Sequence, residues 1–123
     1  SRELDMLCRL HQPDALAIEE LYFAKNAKTA MGVAQARGVI LAQAAGLGLQ
    51  IAEYAPSTVK SQLTGHGGAD KAQIQHMVGV LLNISTNLQA DAADALAAAL
   101  THAHTRASIQ RIGIPRTAWR RRR

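Results

Sequence analysis

The sequence predicts an α/β fold with parallel strands. Two short apolar runs, Ala15-Leu16-Ala17-Ile18 and Gln50-Ile51-Ala52-Glu53-Tyr54, have strand length and flank a long run of strong helix formers from Ala27 to Ala45. Further helix-patterned segments follow the second run. Strand, helix, strand and then helices is the order of a parallel sheet with a right-handed crossover. No repeat of 20 to 50 residues interrupts this plan.

Each element follows from local chemistry. Leu4, Leu7, Cys8 and Leu10 have helical spacing, and Pro13 stops that helix. Pro13-Asp14 then leads into a buried strand, Ala15 to Ile18, which ends in acid at Glu19 and Glu20. Gly46-Leu47-Gly48 stops the long helix. Pro56-Ser57-Thr58 opens another helix through Leu63, before the turn Gly65-His66-Gly67-Gly68. Asp70 is placed to cap a helix whose apolar stripe is Ile74, Met77, Val78, Leu81 and Leu82. Asn83 to Asn87 breaks the chain, and the last helix runs from about Gln89 to His104.

The long helix has too little polar surface for one buried side. Val33, Ala36, Ile40 and Ala44 line one face, and Ala30, Ala34, Gly38, Leu41 and Ala45 another. One face serves the sheet. The other, rich in small residues, admits a second helix closely, either in an isologous homodimer or within the same chain.

With 123 residues and 48% hydrophobic content, the chain is sufficient for one domain with a core. No apolar run reaches the roughly 20 residues of a membrane span, and no secretory signal opens the sequence. The single cysteine, Cys8, reads as a small core hydrophobe and fits a reducing cytoplasm. The net charge is +5, unevenly placed. Residues 1–105 hold seven basic and all nine acidic side chains, whereas residues 106–123 hold seven arginines and no acid. Such a tail is expected to be solvated and disordered, and it also suits a salt-sensitive grip on nucleic-acid phosphates.

The chemistry concentrates at Asp91-Ala92-Ala93-Asp94 and at Glu19. Residues three apart on a helix have Cβ atoms about 5–6 Å apart, so two aspartates there resist joint ionisation unless a cation shares them. Mg²⁺ takes one or two carboxylates and keeps positions for water and phosphate. The reaction suggested is phosphodiester hydrolysis. The histidines read otherwise: His102 and His104 point apart on a helix and cannot chelate together, and His76 is expected to be structural. His66 lies in a turn without P-loop spacing.

From Gln12-Pro13-Asp14 to about His104 the chain resembles the RuvC family of Holliday-junction resolvases. The resemblance is carried by Ala17-Ile18-Glu19, Ala24-Lys25-Asn26-Ala27 and Gln35-Ala36-Arg37-Gly38, then Tyr54-Ala55 with Val59-Lys60. Gly65, Gly67, Lys71, Gln75-His76-Met77-Val78, Asp91-Ala92-Ala93-Asp94-Ala95-Leu96-Ala97 and Thr101-His102 continue it in family order.

That resemblance implies a ribonuclease H-like fold in a homodimeric endonuclease that cuts opposed strands of a four-way DNA junction. Glu19, Asp91 and Asp94 match family catalytic carboxylates and would hold Mg²⁺, two ions per site, with Mn²⁺ a plausible substitute. Tyr22 would stack on opened bases. Lys60 and Lys71 would meet the backbone near the cut, with Lys25, Asn26 and Arg37 as further DNA contacts. Branch-migration proteins are possible partners, and the cytoplasm the expected location.

The family's first strands, including a Gly-Ile-Asp-Pro-Gly-like stretch whose aspartate joins the metal site, have no counterpart in the sequence. An incomplete metal site, little cleavage and an exposed strand edge at Ala15 to Ile18 are expected of these residues alone. Two alternatives stand beside the resolvase: another carboxylate-dependent ribonuclease H-like nuclease, and a noncatalytic dimeric DNA-binding module.

Overall fold

The computed structural model describes residues 1–20, 27–85 and 87–111. The element order is α1 (Arg2–His11), β1 (Ala15–Glu19), α2 (Ala27–Gly46), β2 (Gln50–Tyr54), α3 (Pro56–Thr64), α4 (Lys71–Leu82) and α5 (Ala90–Arg111). β1 and β2 pair in a two-stranded parallel sheet. The Gln50 N–H donates to the Asp14 carbonyl at 3.0 Å. The chain divides into two compact units: Ser1–Leu16 with Glu20–Ala52, and Ala17–Glu19 with Glu53–Arg123.

In the first unit, α1 begins where the Ser1 hydroxyl accepts the Leu4 N–H at 3.2 Å, and it ends at Gln12 in the left-handed region (φ 46°). Glu3 and Asp5 sit in its first turn and Arg9 and His11 in its last, as the helix dipole favours. Arg9 also pairs with Asp5 at 2.9 Å. Gln43, near the end of α2, donates to the Ser1 carbonyl at 2.8 Å and accepts from the Ser1 amino group, which fastens the two helices end to end. None of α1 is buried.

Two expectations fail there. Cys8 is half-exposed on a helix with no buried residue, because α1 lays its apolar side against nothing within its unit. Among the described side chains of α2 only Ala30 and Ala44 are buried, while Met31, Val33, Val39 and Ile40 are exposed. Neither of the two α2 faces read from the sequence is fully covered. β1 is likewise half-buried along Ala15 to Ile18 rather than a core strand.

The second unit holds the tighter core, built by α3, α4 and α5 packed pairwise. Pro56 sets the first turn of α3, and Gly65 ends it at φ 74°, where its N–H returns to the Ser61 carbonyl at 2.8 Å. Asp70 caps α4 reciprocally: its carboxylate accepts the Gln73 N–H at 2.8 Å, and the Gln73 side chain accepts the Asp70 N–H at 2.9 Å. Asn83 closes α4 in the left-handed region (φ 54°).

Val59, Leu63, Ile74, Val78, Ala93, Ala97, Ala98 and Thr101 are buried at the junction of these helices. The α4 stripe is shorter than its spacing predicts. Ile74 and Val78 are buried, but Leu81 and Leu82 are exposed. α5 is longer than expected and continues through Arg111, so residues 106–111 are helix rather than tail. Residues 112–123 lie outside the described residues.

Candidate metal and DNA site

A recess of about 270 Å³ opens within the second unit, lined by Glu19, Pro56, Val59, Lys60, Lys71, Ile74, Asp94 and Ala97. Four elements converge on it. Glu19 is the last residue of β1, Lys60 lies in α3, Lys71 opens α4, and Asp94 is one turn into α5. The packing of Val59, Ile74 and Ala97 forms its floor, so the three helices that make the core also aim its charges.

The electrostatics centre on Glu19. Burial pushes its carboxyl above the ordinary 4.5, and the Asp94 carboxylate adds to that rise, while Lys60 and Lys71 pull it back down. Two acids 75 residues apart in sequence thus repel across one recess, with two ammonium groups on its rim. That repulsion is what a divalent cation would relieve, and oxygen donors of this kind suit Mg²⁺.

Asp91 departs from the expectation. It is exposed in the first turn of α5 and does not line the recess. One turn separates it from Asp94, enough to leave it at the helix end where the N-terminal dipole favours an acid. Among the described residues, no group of three His, Cys, Asp or Glu side chains is arranged to hold a metal. The two carboxylates brought together are Glu19 and Asp94.

Tyr22, Lys25 and Asn26 lie outside the described residues. Arg37 is half-buried on α2 in the first unit. The His66 ring folds over its own turn, where Nδ1 accepts the Gly68 N–H at 2.9 Å and a Cβ on Gly68 would come within 2.8 Å of it. That bond leaves Nε2 as the protonated nitrogen of the neutral ring. His76, expected to be structural, is exposed on α4 beside a groove that also touches Gln75, Asn83 and Asn87.

His102 is a buried residue in mid-helix, with Nδ1 2.7 Å from the Tyr54 hydroxyl and ring centroids 5.9 Å apart. Neither residue carries a local signal for this. Tyr54 ends an ordinary strand, and the pairing exists only after β2 and α5 meet.

The family model described as "Crossover junction endodeoxyribonuclease RuvC" matches residues 1–102. The chain belongs to the RuvC family. A RuvC of Stenotrophomonas maltophilia (strain R551-3) is 49% identical over 116 residues, covering 94% of this chain and 67% of the relative. One from Xanthomonas campestris pv. campestris (strain B100) is 47% identical over 121 residues, covering 98% and 70%. Both relatives are named crossover junction endodeoxyribonuclease.

Two solved structures carry the fold. Thermus thermophilus RuvC superposes with a TM-score of 0.74 at 37% identity, covering 92% of this chain and 66% of that one. The same organism's RuvC in complex with a Holliday junction substrate gives 0.81 at 33% identity, covering 92% and 67%. The chain therefore spans about two thirds of the length of its relatives and has the ribonuclease H-like α/β fold of RuvC.

Proposed function

We propose that this chain carries the metal-holding and backbone-holding part of a RuvC endonuclease that resolves four-way DNA junctions, in recombination and repair. The observation that carries it is the recess in which Glu19 and Asp94 face each other beside Lys60 and Lys71. Glu19 and Asp94 would hold Mg²⁺, with Mn²⁺ as a substitute and two ions as the full complement; Asp91, outside the recess at the helix end, would contribute from one turn away. Bound there, the cations supply Lewis acidity toward the phosphate and lower the pKa of a water.

The protein's own groups do the rest. Lys60 and Lys71 sit at the rim and neutralise the phosphates flanking the cut, which fixes the backbone over the carboxylates. Water attacks phosphorus, the P–O3′ bond breaks, and the 3′ oxygen takes a proton, leaving a 5′-phosphate and a 3′-hydroxyl. Tyr22 stacks on an opened base, with Lys25 and Asn26 on the adjoining backbone. Two copies pair to cut opposed strands symmetrically, a reading supported by the exposed apolar residues of α2. Branch-migration proteins are natural partners, and the work is done in the cytoplasm.

Asp94→Asn tests this. Binding of a four-way junction in Ca²⁺ should persist while Mg²⁺-dependent nicking disappears. Unchanged nicking removes Asp94 from the chemistry. The second reading, a noncatalytic dimeric DNA-binding module, is favoured by the convergence of two carboxylates rather than three among the described residues, and junction binding by a chain that takes up no divalent cation would support it. Cleavage of linear duplex or RNA–DNA hybrid in preference to junctions would instead indicate another carboxylate-dependent nuclease.

A further inference from the structure

The helix that presents Asp94 is held by a face with almost no relief. Ala93, Ala97, Ala98 and Thr101 are its buried residues toward α3 and α4, with exposures of 0%, 1%, 2% and 0%. Packing of this kind is close, but methyl groups make shallow ridges. Rotation about the helix axis and sliding along it are poorly resisted by side chains that interdigitate so little. Thr101 adds no outside anchor, because its hydroxyl is spent on the Ala97 carbonyl of the same helix at 2.9 Å.

A directional polar contact reaches α5 from another element of this unit. The Tyr54 hydroxyl, at the end of β2, lies 2.7 Å from His102 Nδ1, both side chains are buried, and their rings meet at 5.9 Å with an interplanar angle of 56°. Burial raises the pKa of the Tyr54 hydroxyl, and Thr105, one turn further along α5, draws it back down, so Thr105 lies beside the same hydroxyl. Thr105 donates its own proton to the Thr101 carbonyl at 2.8 Å. Thr101 is seven residues from Asp94 and Thr105 eleven, which at 100° per residue keeps all three within about 20° of one helical face. The clamped turns and the acid therefore rotate together.

We propose that Tyr54 and His102 are positioning residues that set the rotation and height of α5, and through it the placement of the Asp94 carboxylate against Glu19. A buried hydrogen bond is directional in a way that alanine packing is not, and a helix of 22 residues transmits a twist along its axis with little loss. Neither Tyr54 nor His102 lines the recess. The effect of the pair is on how well two carboxylates share one cation, and in this respect the inference rests on the reading of Glu19 and Asp94 as metal-holding residues.

The test uses Tyr54→Phe, His102→Leu and His102→Asn, read by Mn²⁺ titration with electron paramagnetic resonance and by amide hydrogen exchange along α5. Asparagine keeps a polar atom near the place of Nδ1 and should rescue what leucine loses. Tyr54→Phe and His102→Leu should weaken Mn²⁺ binding about 10-fold, the low end of what losing a supporting partner costs a metal site. They should also speed exchange at residues 91–98, two turns away from the lost bond. His102→Asn should stay within about twofold of the parent.

Unchanged Mn²⁺ affinity in folded Tyr54→Phe, or faster exchange confined to residues 101–105, would overturn the proposal and leave the pair a local core contact. Should the parent chain bind no Mn²⁺, the reading of the carboxylates fails separately. The exchange pattern then still decides whether Tyr54 governs the Asp94 turn.

Discussion

The two compact units spend similar apolar sequence in opposite ways. In Ser1–Leu16 with Glu20–Ala52, the helices α1 and α2 show Met6, Leu7, Leu10, Met31, Val33 and Val39 to solvent, each at 47% exposure or more. In the other unit, Val78, Ala93 and Thr101 are at 0%, and the polar residues of the recess stand on that packing. Periodicity alone does not make a core; a facing surface of matching relief does. The chemistry is built where three helices fix one another, which holds carboxylates and lysines to a defined geometry.

Core truncation should separate the units most sharply. Val78→Ala should cost about 2 kcal/mol, the transfer of two methyl groups plus a residual cavity. Leu10→Ala should cost less than about 0.5 kcal/mol, as for an exposed side chain. Thermal or urea unfolding checks both. If Leu10→Ala proves as costly as Val78→Ala, and more so at higher protein concentration, α1 is covered by a second copy and the contrast between the units is one of assembly.

Helix caps give a smaller version of the same comparison. Asp70→Ala removes a reciprocal cap from a helix that carries core residues and should cost about 1 kcal/mol. Ser1→Ala frays a helix with nothing buried and should leave the main unfolding transition in place. Lys60→Ala and Lys71→Ala should each weaken junction binding with little regard to sequence and reduce the salt slope by about 1.

Glu19 adds a pH dependence whose direction is fixed. Its carboxyl is raised in the folded protein, so the native state holds the proton to higher pH than the unfolded chain does. Without metal, stability then falls as pH rises from the ordinary 4.5 through the raised folded value, and is level above it. Glu19→Gln should remove that fall. Denaturation of the two proteins in EDTA from pH 4 to 8 should show curves that coincide at the acid end and diverge upward for the variant.

The element order is legible because caps and stops are local: Pro56, Gly65, Asp70 and Asn83 each act within four residues of themselves. The pairing of Glu19 with Asp94 came from resemblance, since nothing near either residue specifies a partner 75 positions away. Burial was the least legible property. Leu81 and Leu82 continue the stripe of Ile74 and Val78, yet they are 44% and 38% exposed, since spacing gives a face and not what covers it. Asp91 reads as the twin of Asp94, and one helical turn is enough to set it outside the recess. Tyr54 and His102 could not be matched at all, because a tyrosine ending a strand and a histidine on a helix are ordinary until the two elements dock.

The most direct measurement is the titration of the Glu19 carboxyl by carbon-13 NMR, with and without Mg²⁺. Without the ion its midpoint should lie above 4.5, and Asp94→Asn should lower it by removing the facing charge. With Mg²⁺ the midpoint should fall below its metal-free position, as a shared cation favours the ionised pair. A midpoint indifferent to both Mg²⁺ and Asp94→Asn would mean that the two acids share no ion, and the assignment of this recess as the metal site would be wrong.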